Sequence, residues 1–254
     1  MNGSTNTIYN ELFFDYLTER SLQSARVIVP ILLNFINPKS VIDIGCGEGA
    51  WLRAFQECGV KTIYGLDGPY IVQSKLLIDP VNFRIVDLSH PFEIEGQYDL
   101  AICLEVAEHL PAKAARSLIR TLTAAAPLVL FSAAIPGQGG AGHVNEQWPA
   151  YWKSLFAEYG FHRLDLVRPR VWQDSRVYCW YRQNIFLYAS KDEIEKSTLL
   201  QAEEQRMRGS QIECIHESIL HRYIGLRGIL REVPRVALRT VKRRMSLLLS
   251  VDLR

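Results

Sequence analysis

The sequence predicts an α/β protein built on a doubly wound, mostly parallel sheet of seven strands. Three observations support this fold class. Short runs of branched apolar residues recur along the chain, segments with helical apolar periodicity separate them, and a glycine-rich turn follows the first run. The runs that we assign as strands cover residues 40–45, 62–67, 83–87, 98–104, 128–132, 161–167 and 184–189.

Helices are expected between these strands wherever apolar residues return every three or four positions, which happens over residues 50–58, 112–125 and 148–159. Residues 9–35 show the same periodicity, and Pro30 is expected to separate or kink that helix. The connection between the sixth and seventh strands is long and rich in aromatic residues. We therefore expect the last two strands to pair antiparallel.

Composition describes a globular protein with a sizeable core. The chain has 254 residues, of which 48% are hydrophobic and 22% are charged, and its formal net charge is +2. From Arg227 onward there are eight basic and two acidic residues, so the tail carries about +6 and the rest about −4. This acidic body argues against RNA as a partner.

The five cysteines form no CxxC pair, and no signal peptide is apparent, so we expect reduced thiols and a cytoplasmic location.

A glycine-rich turn follows the first strand, with Gly45 and Gly47 in the sequence DIGCGEG. Glycines at this point allow a tight turn and the close approach of a ligand to the backbone, but they do not choose between cofactors. Three acids distinguish between cofactors better than the glycines do. Asp43 lies just before the turn, Asp67 ends the second strand and Asp87 ends the third. Carboxylates at these strand ends can bind amino and hydroxyl groups of a nucleoside-containing ligand.

The pattern VIDIGCGEG, YGLDG, IVDLS and YDLAICLEVAEHL resembles that of the class I S-adenosylmethionine-dependent methyltransferases. This resemblance implies a Rossmann-like methyltransferase fold over residues 40–191 and S-adenosylmethionine as cofactor. It implies that Asp67 binds the ribose hydroxyls, that Asp87 contacts adenine, and that the glycines face the methionine portion and ribose. The residues so assigned to the cofactor are Asp43, Gly45, Gly47, Asp67, Gly68, Asp87, Leu88 and Glu105.

A second group of polar residues follows the fourth and fifth strands. If residues 105–109 open a helix, Glu105, Glu108 and His109 share one face, and His143 lies in a glycine-rich segment that can move as a lid. Two carboxylates and two imidazoles can bind Mg²⁺ or another divalent ion. Alternatively, Glu105 contacts the cofactor, Glu108 caps a helix, His109 packs, and His143 acts as a general base.

Two narrower resemblances bear on the acceptor. The set Glu105, Glu108, His109 and His143 resembles the metal ligands of small-RNA 3′-end 2′-O-methyltransferases, and ExxEH alone also resembles ubiquinone-biosynthesis O-methyltransferases. The wider pattern, including HVNEQWPAYW and WYRQN, resembles bacterial methyltransferase-domain proteins associated with glycan genes. The leading hypothesis is O-methylation of a glycan or glycosylated small molecule. The alternatives are metal-assisted RNA 2′-O-methylation and a non-catalytic accessory subunit of a glycan-assembly complex.

The character of the sequence changes at Asp192, where it becomes charged, helical in pattern and poor in aromatic residues. We therefore expect a methyltransferase domain at 1–191 and a helical extension at 192–254. Residues 230–250 form a basic amphipathic pattern. It is typical of a helix that contacts an anionic membrane surface or a partner, and equally of a helix that packs on its own domain.

Overall fold

The computed structural model describes residues 4–208 and 214–224, and it contains one seven-stranded sheet in the order β3-β2-β1-β4-β5-β7-β6. Strands β1 to β5 are parallel, whereas β7 runs antiparallel to both β5 and β6. The predicted fold class and the antiparallel pairing of the last two strands are therefore confirmed. The strands are β1 (Ser40–Ile44), β2 (Thr62–Asp67), β3 (Phe83–Ile85), β4 (Leu100–Leu104), β5 (Leu128–Ser132), β6 (Phe161–Leu164) and β7 (Phe186–Ser190).

Helices connect and cover the strands. Three single-turn 3₁₀ helices accompany them, at Gln73–Lys75, Pro80–Asn82 and Ala112–Ala114. The α-helices in the described residues are α1 (Ser4–Leu33), α2 (Ala50–Glu57), α3 (Ala115–Ala125), α4 (Pro149–Ala157), α5 (Arg168–Val171), α6 (Cys179–Asn184), α7 (Lys191–Lys196), α8 (Thr198–Met207) and α9 (Glu217–Ile224).

Two apolar layers cover the two faces of the sheet. Helices α1, α2 and α6 pack on one face, while α3 and α4 pack on the other. Successive residues of β5 alternate between the layers, with Leu130 in the first and Phe131 in the second. Because both faces are covered, the central strands β4 and β5 are almost entirely apolar.

Several element boundaries differ from the sequence prediction, including those near Pro30 and Asn184. Helix α1 runs through Pro30 without dividing, because Pro30 lies in the last turn and its missing N–H costs at most one hydrogen bond there. Asn34 caps that turn through its side-chain amide, which donates to the Pro30 carbonyl at 3.1 Å. The seventh strand begins at Phe186, and Asn184, expected in the strand, is the last residue of α6.

The first compact unit spans Met1–Cys214 and therefore continues past residue 191, where the sequence placed the boundary. Helices α7 and α8 belong to it because Ile194 and Leu200 are buried in the layer that also contains α1. The second unit is Ile215–Arg254, in which α9 is described. The predicted basic helix at 230–250 lies outside the described residues. No helix within the described ranges is long and apolar enough to cross a membrane.

Truncating Phe156 is expected to destabilise the protein strongly. Its fully buried ring stacks on Tyr188 with centroids 3.8 Å apart and meets Phe131 edge-on at 5.4 Å. Phe156→Ala therefore leaves a cavity and should lower the free energy of unfolding by about 3–5 kcal/mol, measured by urea denaturation. Val81→Ala, at a side chain that is 75% exposed, is the control and should change it by less than about 0.5 kcal/mol. A loss below about 1 kcal/mol for Phe156→Ala would contradict this account of the core.

Candidate active site

The carboxyl ends of β1, β2 and β4 meet at one edge of the sheet because these strands are parallel neighbours. Gly45 begins the turn after β1 with a φ of 85°, and its amide donates to the Leu66 carbonyl at 2.7 Å. A Cβ atom at Gly45 would lie 2.3 Å from Cγ2 of Val106, which follows β4. Only a glycine at position 45 lets the Val106 side chain come this close to the backbone. The resulting contact joins the glycine turn to the segment after β4.

Asp67 is the buried acid at the end of β2, and its carboxylate has three donors among the described residues. The Gly47 amide donates to Oδ2 at 2.6 Å, the Gly68 amide donates to Oδ1 at 2.6 Å, and the Tyr70 hydroxyl also donates to Oδ1. Asp67 thus links the glycine turn to the loop after β2. The sequence predicted the acid and the two glycines at this place but gave no sign of Tyr70.

Asp43 is buried within β1, beside Gly65 of β2 and Ile102 of β4. Burial and the negative charge of Asp67 raise the pKa of Asp43 well above its ordinary value. Neither acid has a basic hydrogen-bond partner in the part of the chain that the structure describes, so the two create a negative potential under the glycine turn. A ligand that carries positive charge would relieve this potential.

Asp87 lies beyond β3, at the same edge of the sheet, because the neighbouring Val86 amide donates to the Asp67 carbonyl at 2.8 Å. Its side chain is 62% exposed and accepts hydrogen bonds from the Ser89 amide at 2.9 Å, from the Ser89 hydroxyl at 2.6 Å and from Nδ1 of His90 at 2.8 Å. The hydrogen bonds from Ser89 and then His90 lower the pKa of Asp87 to about 2. Leu88 is half-buried against the core. The position of Asp87 at the sheet edge suits the predicted adenine contact. Its carboxylate, however, accepts its hydrogen bonds here from Ser89 and His90 of the same turn.

Residues 105–110, the β4 turn, do not form the expected helix. Glu105 has a φ of 56° and its amide donates to the Ser132 carbonyl at 3.0 Å, after which the chain makes a turn. Pro111 explains the difference, because it has no N–H to donate and disfavours helical geometry at the preceding residue. Helix α3 begins only at Ala115. Glu105, Glu108 and His109 therefore do not share a helical face.

The side chain of Glu105 is held by two buried amides. Gln138 donates from Nε2 at 3.0 Å and Asn184 donates from Nδ2 at 3.1 Å, while Asn184 also donates to Oε1 of Gln138 at 2.9 Å. Burial raises the pKa of Glu105. The role of Gln138 is not visible in the sequence, because its partners lie 33 and 46 residues away along the chain.

Residues 133–148, the β5 loop, fold around the carboxylate of Glu146. This carboxylate accepts from the Gly137 and Gly139 amides, each at 2.7 Å, and from Nδ1 of His143 at 2.9 Å. Partial burial opposes ionisation of Glu146, but the hydrogen bonds from His143 and the two amides lower its pKa below the ordinary value. Glu146 is thus an orienting residue for His143. The HxxE spacing within a glycine-rich segment was the available signal for it.

The β5 loop is hydrogen-bonded to the β4 turn by backbone atoms. The amides of Val144 and Asn145 both donate to the Glu108 carbonyl, at 2.8 and 3.0 Å. This contact brings the ring of His143 to that of His109, with centroids 4.7 Å apart and planes nearly perpendicular. The segment predicted as a lid is therefore positioned over the β4 turn.

Three of the four predicted metal ligands come together. One ligand atom from each of Glu108, His109 and His143 lies within 4.8 Å of the others. Both carboxylate oxygens of Glu108 are buried and have no hydrogen-bond partner of normal geometry among the described residues. Burial and the charge of Glu105 raise the pKa of Glu108, whereas burial and His143 lower the pKa of His109. Glu105 is bound by the two amides and is not part of this cluster.

Comparison with known proteins identifies the class. The family described as "Methyltransferase domain" matches residues 16–163, more than half of the chain, and the chain belongs to that family. Together with the glycine turn and its acids, this match identifies residues 16–163 as a methyltransferase domain of the S-adenosylmethionine-dependent class. The resemblance seen in the sequence is thereby confirmed at the level of the family, and S-adenosylmethionine is the cofactor expected at this edge of the sheet.

Individual relatives are more distant. A probable chloroplastic tocopherol O-methyltransferase of Oryza sativa subsp. japonica is 35% identical over 30% of this chain and 23% of its own length. A ubiquinone biosynthesis O-methyltransferase of Marinobacter nauticus is 32% identical over 33% of this chain and 41% of its own. The chain thus spans less than half the length of these curated relatives. An O-methyltransferase family protein of Burkholderia thailandensis shares the fold, with a TM-score of 0.53, 14% identity, and coverage of 74% of this chain and 61% of that one.

Cofactor binding is expected to release protons through Asp43. The sulfonium and ammonium groups of S-adenosylmethionine favour the ionised carboxylate, so the raised pKa of Asp43 should fall on binding. Affinity should then increase with pH, with a release of at most about one proton per site. Calorimetry at pH 6 in two buffers of different ionisation enthalpy measures this release. Asp43→Asn is the matched control and should release none; proton uptake by the unmodified protein would contradict the assignment.

Proposed function

We propose that this methyltransferase transfers the methyl group to a hydroxyl oxygen of a glycan or a glycosylated small molecule. The observation that carries the proposal is the pairing of His143 with Glu146, which gives an oriented base on the loop next to the cofactor edge. Both curated relatives described above are named as O-methyltransferases, which supports oxygen as the acceptor atom.

His143 is prepared to accept a proton at one particular nitrogen. Since the ionised Glu146 accepts a hydrogen bond from Nδ1, that nitrogen carries the proton and Nε2 keeps its lone pair. The ring rests on the backbone of Gly140, where a Cβ atom would lie 2.2 Å from Nε2. Glycine at this position therefore allows the imidazole to lie flat against the loop, and Glu146 prevents it from turning over.

In the proposed reaction the acceptor hydroxyl gives its proton to Nε2 of His143 while its oxygen attacks the methyl carbon of the cofactor. The new C–O bond forms as the C–S bond breaks, and the electron pair of that bond stays on sulfur. The products are the methyl ether and S-adenosylhomocysteine. The imidazolium that remains is stabilised by the carboxylate of Glu146 and loses its proton to solvent before the next cycle.

The polar character of the surroundings supports an acceptor with several hydroxyl groups. The amides of Gln138 and Asn184 and the carboxylate of Glu105 form one network beside the β5 loop, and such groups bind hydroxyls. Trp148, at the end of the loop, is 41% exposed and offers a ring on which a sugar can pack. Trp152, which follows in α4, is buried in the core.

A second candidate function is metal-assisted O-methylation, which the arrangement of Glu108, His109 and His143 favours. One carboxylate and two imidazoles can bind a divalent transition-metal ion such as Mn²⁺, and the buried oxygens of Glu108, which accept no hydrogen bond of normal geometry within the described ranges, can contribute to it. A bound cation would act as a Lewis acid that lowers the pKa of the acceptor hydroxyl. In this case His143 is a ligand, and its Nε2 lone pair does not accept the proton.

The experiment that tests the proposed acceptor is a methyl-transfer screen with isotope-labelled cofactor. Glycans and glycosylated small molecules, RNA and simple phenols form the three arms. Transfer to the first arm supports the proposal, and transfer restricted to RNA or to phenols replaces it. Failure of transfer in all arms, with cofactor binding intact, favours the accessory-subunit alternative.

Replacing His143 is expected to affect the reaction rather than cofactor binding. His143→Ala should lower kcat by about 10²–10⁴-fold, the usual contribution of a general base, and leave the Kd for S-adenosylhomocysteine within about twofold. Steady-state kinetics and calorimetry measure the two quantities. The matched control is His162→Ala, because His162 also pairs with a glutamate, Glu204, but lies on the edge strand β6. If His143→Ala were as active as His162→Ala, His143 would not be the general base.

The metal-assisted candidate makes a separate prediction. Treatment with EDTA should abolish activity, and Mg²⁺ or Mn²⁺ should restore it; His109→Ala should raise the Mn²⁺ Kd by about 10-fold or more. Activity and Mn²⁺ paramagnetic resonance provide the readouts. His162→Ala is again the control, since its imidazole lies outside the cluster. Full activity after exhaustive chelation would contradict the metal-assisted candidate, and His143 would then be the general base.

A further inference from the structure

Tyr70 is hydrogen-bonded to Asp67, the acid that the family resemblance assigns to the ribose of the cofactor. Its hydroxyl donates to Oδ1 of Asp67, and its ring lies across the backbone of Gly68, where a Cβ atom would be 2.3 Å from Cε1 of the tyrosine. The absence of a side chain at Gly68 is therefore what lets the ring lie down on the loop. The cofactor assignments made from the sequence do not include Tyr70.

The carboxylate of Asp67 has too few free positions to bind a ribose while Tyr70 remains in place. A carboxylate offers about four lone-pair positions, and the Gly47 amide, the Gly68 amide and the Tyr70 hydroxyl occupy three of them. The 2′ and 3′ hydroxyls of a ribose bring two further donors. The two amides are fixed by the backbone, so the side chain of Tyr70 is the donor that can leave.

We propose that Tyr70 is a cofactor-affinity residue whose hydroxyl substitutes for a ribose hydroxyl on Asp67 until an adenosine ligand displaces it. A buried carboxylate needs hydrogen-bond donors even when no ligand is bound, and Tyr70 supplies one. The side chain is also able to move away, because Tyr70 is 66% exposed and lies in the irregular segment between β2 and the 3₁₀ helix at Gln73–Lys75. Each binding event thus exchanges a tyrosine hydrogen bond for ribose hydrogen bonds.

The test is the affinity of the full-length protein for S-adenosylhomocysteine, measured by calorimetry. Tyr70→Phe removes the competing hydroxyl and keeps the ring, so the Kd should fall by roughly three- to tenfold. Tyr64→Phe is the matched control, because Tyr64 lies on the same strand as Asp67 but is not one of its donors. An unchanged or increased Kd for Tyr70→Phe would overturn the proposal.

A second arm separates competition at Asp67 from a general effect on the loop. In an Asp67→Asn background the same Tyr70→Phe change should alter the Kd by less than about twofold, because the charged acceptor is gone. If Tyr70→Phe lowered the Kd three- to tenfold in the Asp67→Asn background as well, the Tyr70 hydroxyl would not be competing with ribose for Asp67. The inference rests on the cofactor assignment alone: failure of the unmodified protein to bind S-adenosylhomocysteine would overturn that assignment first, whereas binding without an effect of Tyr70→Phe would overturn only the role of Tyr70.

Discussion

The carboxylate of Asp67 is the constraint on which the cofactor end of the molecule depends. It receives the Gly47 amide from the turn after β1, together with the Gly68 amide and the Tyr70 hydroxyl from the loop after β2. Two loops from neighbouring parallel strands are thus tied to one buried negative charge. The same charge makes ionisation of Asp43 costly, so the edge of the sheet is assembled in advance for a ligand with positive charge and hydroxyl groups.

The reacting side of the site depends on a second carboxylate. Glu146 closes the β5 loop by binding two glycine amides, and the same group orients His143. The shape of the β5 loop and the orientation of the His143 imidazole therefore both depend on the Glu146 carboxylate. Val106 connects this region to the glycine turn, because it contacts Gly45 only two residues before Glu108. This packing holds the glycine turn against the β4 turn.

The sequence was sufficient for the strands, the glycine turn and the acids at the sheet edge because these depend on local signals. Apolar runs and glycines that bear positive φ are readable from a few neighbouring residues. Contacts such as Gln138 with Glu105, or Glu146 with the glycine amides, depend on how loops return through space, and no local pattern specifies them. The helix considered for residues 105–109 does not form, because helical spacing alone does not account for the effect of Pro111. The compact unit continues past residue 191, and the sequence pattern does not show this because the charged faces of α7 and α8 conceal Ile194 and Leu200.

The attachment of the β5 loop through main-chain atoms has a consequence for how such a site changes during evolution. Val144 and Asn145 are held by their amides to the Glu108 carbonyl, while the side chains of Val144 and Trp148 remain exposed. Substitutions at these two exposed side chains leave the anchoring atoms untouched. The rim of the site can therefore change its side chains without loss of the loop path.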